Sequence, residues 1–340
     1  MDQPLLDLTP EEGARRLALD HLGAAAAAFP RLKDPDDPEA LHDFRVALRR
    51  LRSCLRAYRP QLEESLPKKL RRRLRRLAHA TGPGRDTEVQ IEWLRPKSRS
   101  LAAFHRGGLA WLLKLLDERL RKSWSELTGQ LEDEFPSLER ELRERLSFYR
   151  IEISLDPQAR RPTFGEATAG ILRQQGAELE THMARIESVD DETEAHQARI
   201  SAKRLRYLLE PLTGELPAAG PVVKRLKALQ DLLGELHDAH LLEQELRSAL
   251  RTAASERANN LVEVSLIEIP DPKVLRAVRR RAWEAGLIAL TRLNRSRRDD
   301  LFRKLKDEWL AGGEAKLFEE LERVAETLTP GPSPAIGREV

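Results

Sequence analysis

The sequence predicts an all-α protein made of two related helical halves in tandem, and three observations predict it. Aromatic residues are only 5% of the 340 and charged residues 34%, with Leu, Ala, Arg and Glu dominant, which is the composition of helical bundles rather than of sheets. Apolar residues recur at helical spacing through most of the chain. Finally, the basic stretch LHDFRVALRRLRSCLRAYR at 41–59 returns 154 positions later as AHQARISAKRLRYLLEPLT at 195–213, so one helical unit is used twice.

The two copies share a frame: a histidine, then basic residues three, seven, eight and ten positions on. In the first copy these are His42, Arg45, Arg49, Arg50 and Arg52; in the second, His196, Arg199, Lys203, Arg204 and Arg206. At about 100° per residue, positions 42, 45, 49, 52 and 56 fall within one arc of about 80°. Leu41, Phe44, Ala47, Leu48, Leu51, Cys54, Leu55 and Tyr58 fall opposite, so one face is core and the other a cationic stripe. A basic stripe is ordinarily only a solvated face. Solvated faces, however, mix Glu among Lys and Arg to gain i,i+4 pairs, whereas 44–59 hold six Arg and no acid. The helix gives up stability to keep these charges, and an anion between the stripes would relieve the repulsion.

The elements follow in order. Thr9, Pro10 and Glu12 form a capping box with proline in the first turn, opening a helix that runs to Pro30. Asp37-Pro38 caps the first stripe helix, which ends before Pro60. Residues 66–80 form a second cationic helix, with Leu66, Leu70, Leu74 and Leu77 on one side and Lys68, Arg72, Arg75 and Arg76 on the other. It is expected to close at Gly82-Pro83-Gly84, with Asp86 opening the next helix. Trp93, Leu94, Trp111, Leu112, Leu115, Leu116 and Leu120 are expected to form the far wall of this half, and the Glu-rich EDEFPSLERELRERL an ordinary exposed face.

The helical period breaks over 149–162, so the halves are expected to divide as 1–150 and 163–327 with a connection at 151–162. Thr163 and Glu166 then repeat the opening cap pair at the same offset of 154, and Gly234 and Asp238 match Gly82 and Asp86 at 152. Lys224 and Lys227 belong to the helix beside the second stripe. Beyond it the sequence reads as a helix capped by Asp271-Pro272, a break near Asn294 to Ser296, another basic helix and a last amphipathic one. The tail from 328 to 340 has no periodicity and is expected to be disordered.

Several classes are disfavoured. The one cysteine, Cys54, excludes an internal disulfide framework and a cysteine zinc site. Neither a signal-peptide h-region nor a run of about 18 apolar residues occurs, so a cytoplasmic protein with no membrane partner is expected. Walker-type glycine loops, nucleophile elbows and repeated acidic clusters are missing, which argues against catalysis and against a resident cofactor or metal. The net charge is just +3, so segregation of charge matters rather than its total.

The pair LHDFRVALRRLR and AHQARISAKRLRYLLE, with LGELHD after the second, resembles the CHAD family of histidine-bearing helical domains over roughly residues 9–327. The first half departs from the family pattern at TGPGRD, where members carry a plainer LGxxRD. The resemblance implies two four-helix bundles related by a pseudo-two-fold axis, and inorganic polyphosphate held in a basic central groove or pore. On this sequence the polyphosphate-binding residues would be His42, Arg45, Arg49, Arg50, Arg52, Arg72, Arg75, Arg76, His196, Arg199, Lys203, Arg204, Arg206, Lys224 and Lys227. Targeting to polyphosphate granules, scaffolding for an enzyme in trans and regulation are all compatible with such a binder.

The residues themselves leave alternatives. Polyphosphate has no bases, so its recognition needs Arg forks and Lys charges at repeated spacing and nothing to stack on. Nucleic acid would compete for the same stripe, but Phe44, Tyr58 and Tyr207 fall on apolar sides. His42 and His196 are open to a structural role, to phosphate contact or to metal binding. The dipeptides His42-Asp43 and His237-Asp238 resemble those of metal-dependent phosphohydrolases, yet neither is kept by both halves, since Gln197 and Arg85 stand at the equivalent positions. A purely structural helical adaptor is the third class.

Overall fold

Helices are the only regular elements among residues 3–34, 36–37, 39–148, 161–267 and 283–329, which the computed structural model describes. They are α1 (Pro10–Ala28), α2 (Glu39–Ala57), α3 (Arg59–Leu62), α4 (Lys68–Ala80), α5 (Gly82–Leu94), α6 (Arg106–Ser147), α7 (Phe164–Met183), α8 (Glu192–Leu209), α9 (Ala219–Ser265), α10 (Trp283–Leu305) and α11 (Gly313–Leu328). Both expected capping boxes form: Thr9 and Glu12 open α1, and Thr163 and Glu166 open α7. Asp37 caps α2, its Oδ1 accepting from the backbone of Glu39 and Ala40 at 3.2 and 3.1 Å. Pro38, the 149–160 part of the connection, the 271–272 cap and the tail from 330 lie outside the described residues.

Three expectations are corrected. Gly82-Pro83-Gly84 is not a loop but the first turn of α5, so Asp86 sits a turn inside the helix rather than at its start. Proline lacks an N–H and interrupts the ladder there. At the matching position 235 the chain has Glu, and α9 runs unbroken for 47 residues. No break occurs near Asn294 either: α10 is continuous, and the buried Asn294 amide donates to the Ala239 carbonyl at 2.8 Å. The Glu-rich stretch, finally, is partly an ion-pair face, with Glu141 and Glu134 meeting Arg73 and Arg76 of α4 at 2.8 and 3.1 Å.

Burial follows the predicted stripe. Phe44, Leu48, Leu51 and Leu55 on α2, and Ala198, Ala202, Leu205 and Leu209 on α8, are all at most 4% exposed. They join one apolar cluster containing α1, α4, the second half of α6, α7, the start of α9 and α11. Within it α1 packs on α7 and α2 on α8, so repeated elements meet their own equivalents. Tyr58 stacks on Phe164 at 4.8 Å between ring centres, and its hydroxyl bonds Thr168 Oγ1 at 2.7 Å.

A second cluster corrects the expected far wall. Leu94, Leu112 and Leu116 do pack together, but against Leu242, Leu246, Leu287 and Leu290 from α9 and α10. Trp111 stacks on Trp283 at 5.0 Å. The approach needs glycine on both helices, because a Cβ on Gly286 would stand 2.9 Å from the Cα of Gly108. Among the described residues no helix is long and apolar enough to cross a membrane.

Candidate functional site

The basic faces of α2 and α8 meet, and Lys203 stands at their centre. Its amine is half-buried and lies in the field of Arg199, Arg49, Arg52 and Arg206. Burial first, and these four cations second, push its pKa from 10.5 down to about 7. No carboxylate reaches Arg49, Arg52, Arg199 or Lys203 at ion-pair distance among the described residues. Arg49 Nε and Arg199 Nε are buried with no hydrogen-bond partner there. Such donors are costly unless something accepts from them.

Arg199 extends along α9, against Gly234: a Cβ at that position would stand 3.4 Å from its Nε. Gly234 thus makes room for the guanidinium. Beyond Arg199, His196 and His237 face each other with ring centres 4.5 Å apart. Burial and then the Arg199 charge lower both, His237 to about 4. Each leaves its Nδ1 unpartnered, so both rings are neutral donors or acceptors beside the cluster. Asp238 lies near Arg199, Arg297 and Asp86, which brings the two aspartates matched by the repeat towards one another.

Arg45 marks the corresponding end of α2. Burial, Arg85 and Arg49 lower its pKa to about 10 against the pull of Glu88, whose carboxylate is 4.0 Å away. At the other end Arg52 approaches Arg75 of α4. Arg72, Arg75 and Arg76 line an outer cleft with His79 and Gln130. Arg76 is tied to Glu134, while side-chain exposure of 64% leaves it reachable.

Other members of the frame point elsewhere. Arg50 pairs with Glu210 at 2.9 Å, and the equivalent Arg204 reaches Glu178 at 3.6 Å. The eighth position of the frame is therefore an ion-pair position in both copies. Arg206 is also held, by Glu210 at 2.8 Å and Gln230 at 2.9 Å, with the Tyr207 ring 4.8 Å beneath it. His42 is exposed. Lys224 and Lys227 are exposed on α9, Lys227 being 4.0 Å from Asp231.

Sequence reasoning missed Gln230, Glu210, Glu88 and the role of His237. The signal for His237 was present, since it stands three residues after the matched Gly234, but it was weighed only as part of a dipeptide. Among the described residues no three His, Cys, Asp or Glu side chains converge as a metal site would need. The arrangement can hold oxyanions along two facing helices: charge and forked donors are supplied in a partly dehydrated setting.

An all-helical fold with a half-buried cationic centre is the class these features define. The chain belongs to the CHAD domain family, whose model matches residues 16–247. Its fold is similar to the crystal structure of the CHAD domain from the plant Ricinus communis, with a TM-score of 0.60 at 21% identity, covering 87% of this chain and 91% of that one. It is also similar to PptA from Streptomyces chartreusis, with a TM-score of 0.50 at 16% identity, covering 87% and 99%. No curated protein matches the chain.

Proposed function

We propose that this chain binds inorganic polyphosphate without cleaving it, in a continuous basic groove between two tandem bundles related by pseudo-two-fold symmetry. The observation that carries the reading is Lys203 in the field of Arg49, Arg52, Arg199 and Arg206, with no carboxylate among the described residues at ion-pair distance from the first three or from Lys203 itself. Residues three or four apart on a helix rise about 5 Å, so each ladder offers cations at short, regular intervals to a flexible polyanion. The meeting of α1 with α7 and of α2 with α8 supports the symmetry, because a two-fold axis brings equivalent elements together. The cleft at Arg72, Arg75 and Arg76 would continue the groove outward from Arg52.

Among the described residues of the cluster a nucleic-acid reading lacks its stacking platform. Tyr207, the aromatic of the cluster, is 5% exposed and covered by arginine. The test is calorimetry with polyphosphates of graded length against tripolyphosphate, ATP and single-stranded DNA. Long polyphosphate should bind tightest, displace DNA at equal phosphate concentration and lose affinity steeply with salt. Neutralising α2 alone should weaken long chains far more than tripolyphosphate, which one helix can hold. Equal losses for both would leave two separate sites and no continuous groove.

A further inference from the structure

We propose that Arg247, Arg251, Arg292 and Arg295, all exposed on α9 and α10, form an outer strip that holds the part of a long polyphosphate chain extending beyond the central cluster. The proposal rests on the reading of that cluster as a polyphosphate site. Glu243 anchors the strip from beneath. One oxygen of its buried carboxylate accepts from Arg247 Nη2 at 3.4 Å and from Arg295 Nη2 at 3.2 Å, and the other accepts from Arg298 Nη1 at 3.0 Å. Guanidinium groups from two helices are thus drawn to one point against their mutual repulsion. Asp190 and Asp299 offset Arg298, at 3.5 and 3.6 Å, which leaves Glu243 alone for Arg247 and Arg295 among the described residues. Both of these arginines keep more than half of their side-chain surface in water, so their remaining donors are open to a ligand.

Arg251 stands four residues after Arg247 on α9, and Arg292 three before Arg295 on α10, so each lengthens the pair along its own helix face. Neither meets a carboxylate at ion-pair distance among the described residues. Like charges three and four apart cost a helix stability, and an anion lying along them would remove that cost. The strip begins ten residues after His237 on the unbroken α9, a rise of about 15 Å with a turn of about 80° around the axis. A long chain seated at Arg199 and His237 can bridge that interval, whereas three phosphates held in the cluster cannot. The four residues of the strip include no ring for a base to stack on, which suits a polyanion made of phosphate alone.

The experiment is calorimetry on the full chain with long polyphosphate and with tripolyphosphate, comparing the native protein with Arg251→Glu plus Arg292→Glu. These two side chains hold no ion pair among the described residues, so the variant should keep its fold. Long polyphosphate should bind it about tenfold or more weakly, with the slope of log K against log salt flatter by about two, while tripolyphosphate stays within about twofold. Arg247→Gln plus Arg295→Gln should repeat the selective loss. Unchanged affinity for the long polymer, or an equal loss for both ligands, would overturn the proposal. If Arg49→Gln, Arg52→Gln and Arg199→Gln together abolish binding while the strip variants bind as the native chain does, the central reading stands and the strip falls. If the strip variants lose the long polymer and the central variant keeps both ligands, the strip stands and the central reading falls.

Discussion

Gly234 lies against the guanidinium of Arg199, which leaves 3.4 Å between Nε and the place a Cβ would take. Alanine there is a tight fit against the shaft of a flexible side chain, and it removes the conformational freedom of a helical glycine. Gly234→Ala should therefore stabilise the chain by up to about 1 kcal/mol in thermal melts and leave polyphosphate binding within about threefold. Gly234→Leu must displace Arg199 and should weaken binding by about tenfold or more. Equal affinity for the leucine variant would show that Arg199 does not touch the ligand.

Neutralising the clustered charges should separate folding from binding. Changing Arg49, Arg52, Arg199 and Lys203 to Gln should raise the ligand-free Tm, because like charges no longer repel. It should also flatten the dependence of log K on log salt by about three. Arg50→Gln with Arg204→Gln should do the reverse, lowering stability by under about 1 kcal/mol with binding little changed, since these side chains are held by Glu210 and Glu178. A lower Tm for the first variant would mean that its side chains hold the fold together.

Lys203 sets a pH dependence of stability. Its amine titrates near 7 in the folded chain and near 10.5 when unfolded, so between these values the unfolded state binds the extra proton and stability rises with pH. The melting temperature of the native chain relative to Lys203→Met should climb from pH 7 towards pH 10. Bound polyanion favours the charged amine and should reduce that climb. On the acid side His21 and His237, both lowered to about 4, protonate first in the unfolded state, so stability falls as pH drops from 6.5 towards 4. Parallel pH curves for the native chain and Lys203→Met would refute the assignment to Lys203.

Tyr58 joins residues on either side of the connection. Its hydroxyl bonds the buried Thr168, so Tyr58→Phe should cost about 1 kcal/mol, and Tyr58→Ala about 3 to 5 kcal/mol through the space left beside Phe164. Because the apolar cluster is shared, denaturant unfolding should remain one transition in both variants. Two separated transitions would indicate halves that fold independently.

The stripes were legible in the sequence because a helix converts spacing directly into a face, and the repeat showed which spacing to read. Arg49, Arg52, Arg199 and Lys203 meet as that pattern implied, and the capping boxes of α1 and α7 form where Thr and Glu stand three apart. Partners from distant segments were not legible. Nothing local to Arg50 announces Glu210, 160 residues away, or sends Leu112 to pack with Leu246. Asn294 misled for a related reason: a polar residue suggests a break unless its buried partner, the Ala239 carbonyl, is known. Pro83 split one copy of a helix that Glu235 leaves whole, so equal sequence offset did not mean equal shape.

The unbroken α9 carries two jobs along roughly 70 Å of one axis. Gln230, Gly234 and His237 serve the α8 side, and Leu242, Leu246 and Ala249 serve the second apolar cluster. Each residue turns the helix by about 100°, so inserting or deleting a single residue between His237 and Leu242 would swing every later leucine out of its seat while leaving the earlier contacts in place. Side chains along this segment can be exchanged one at a time, but its length cannot drift by one.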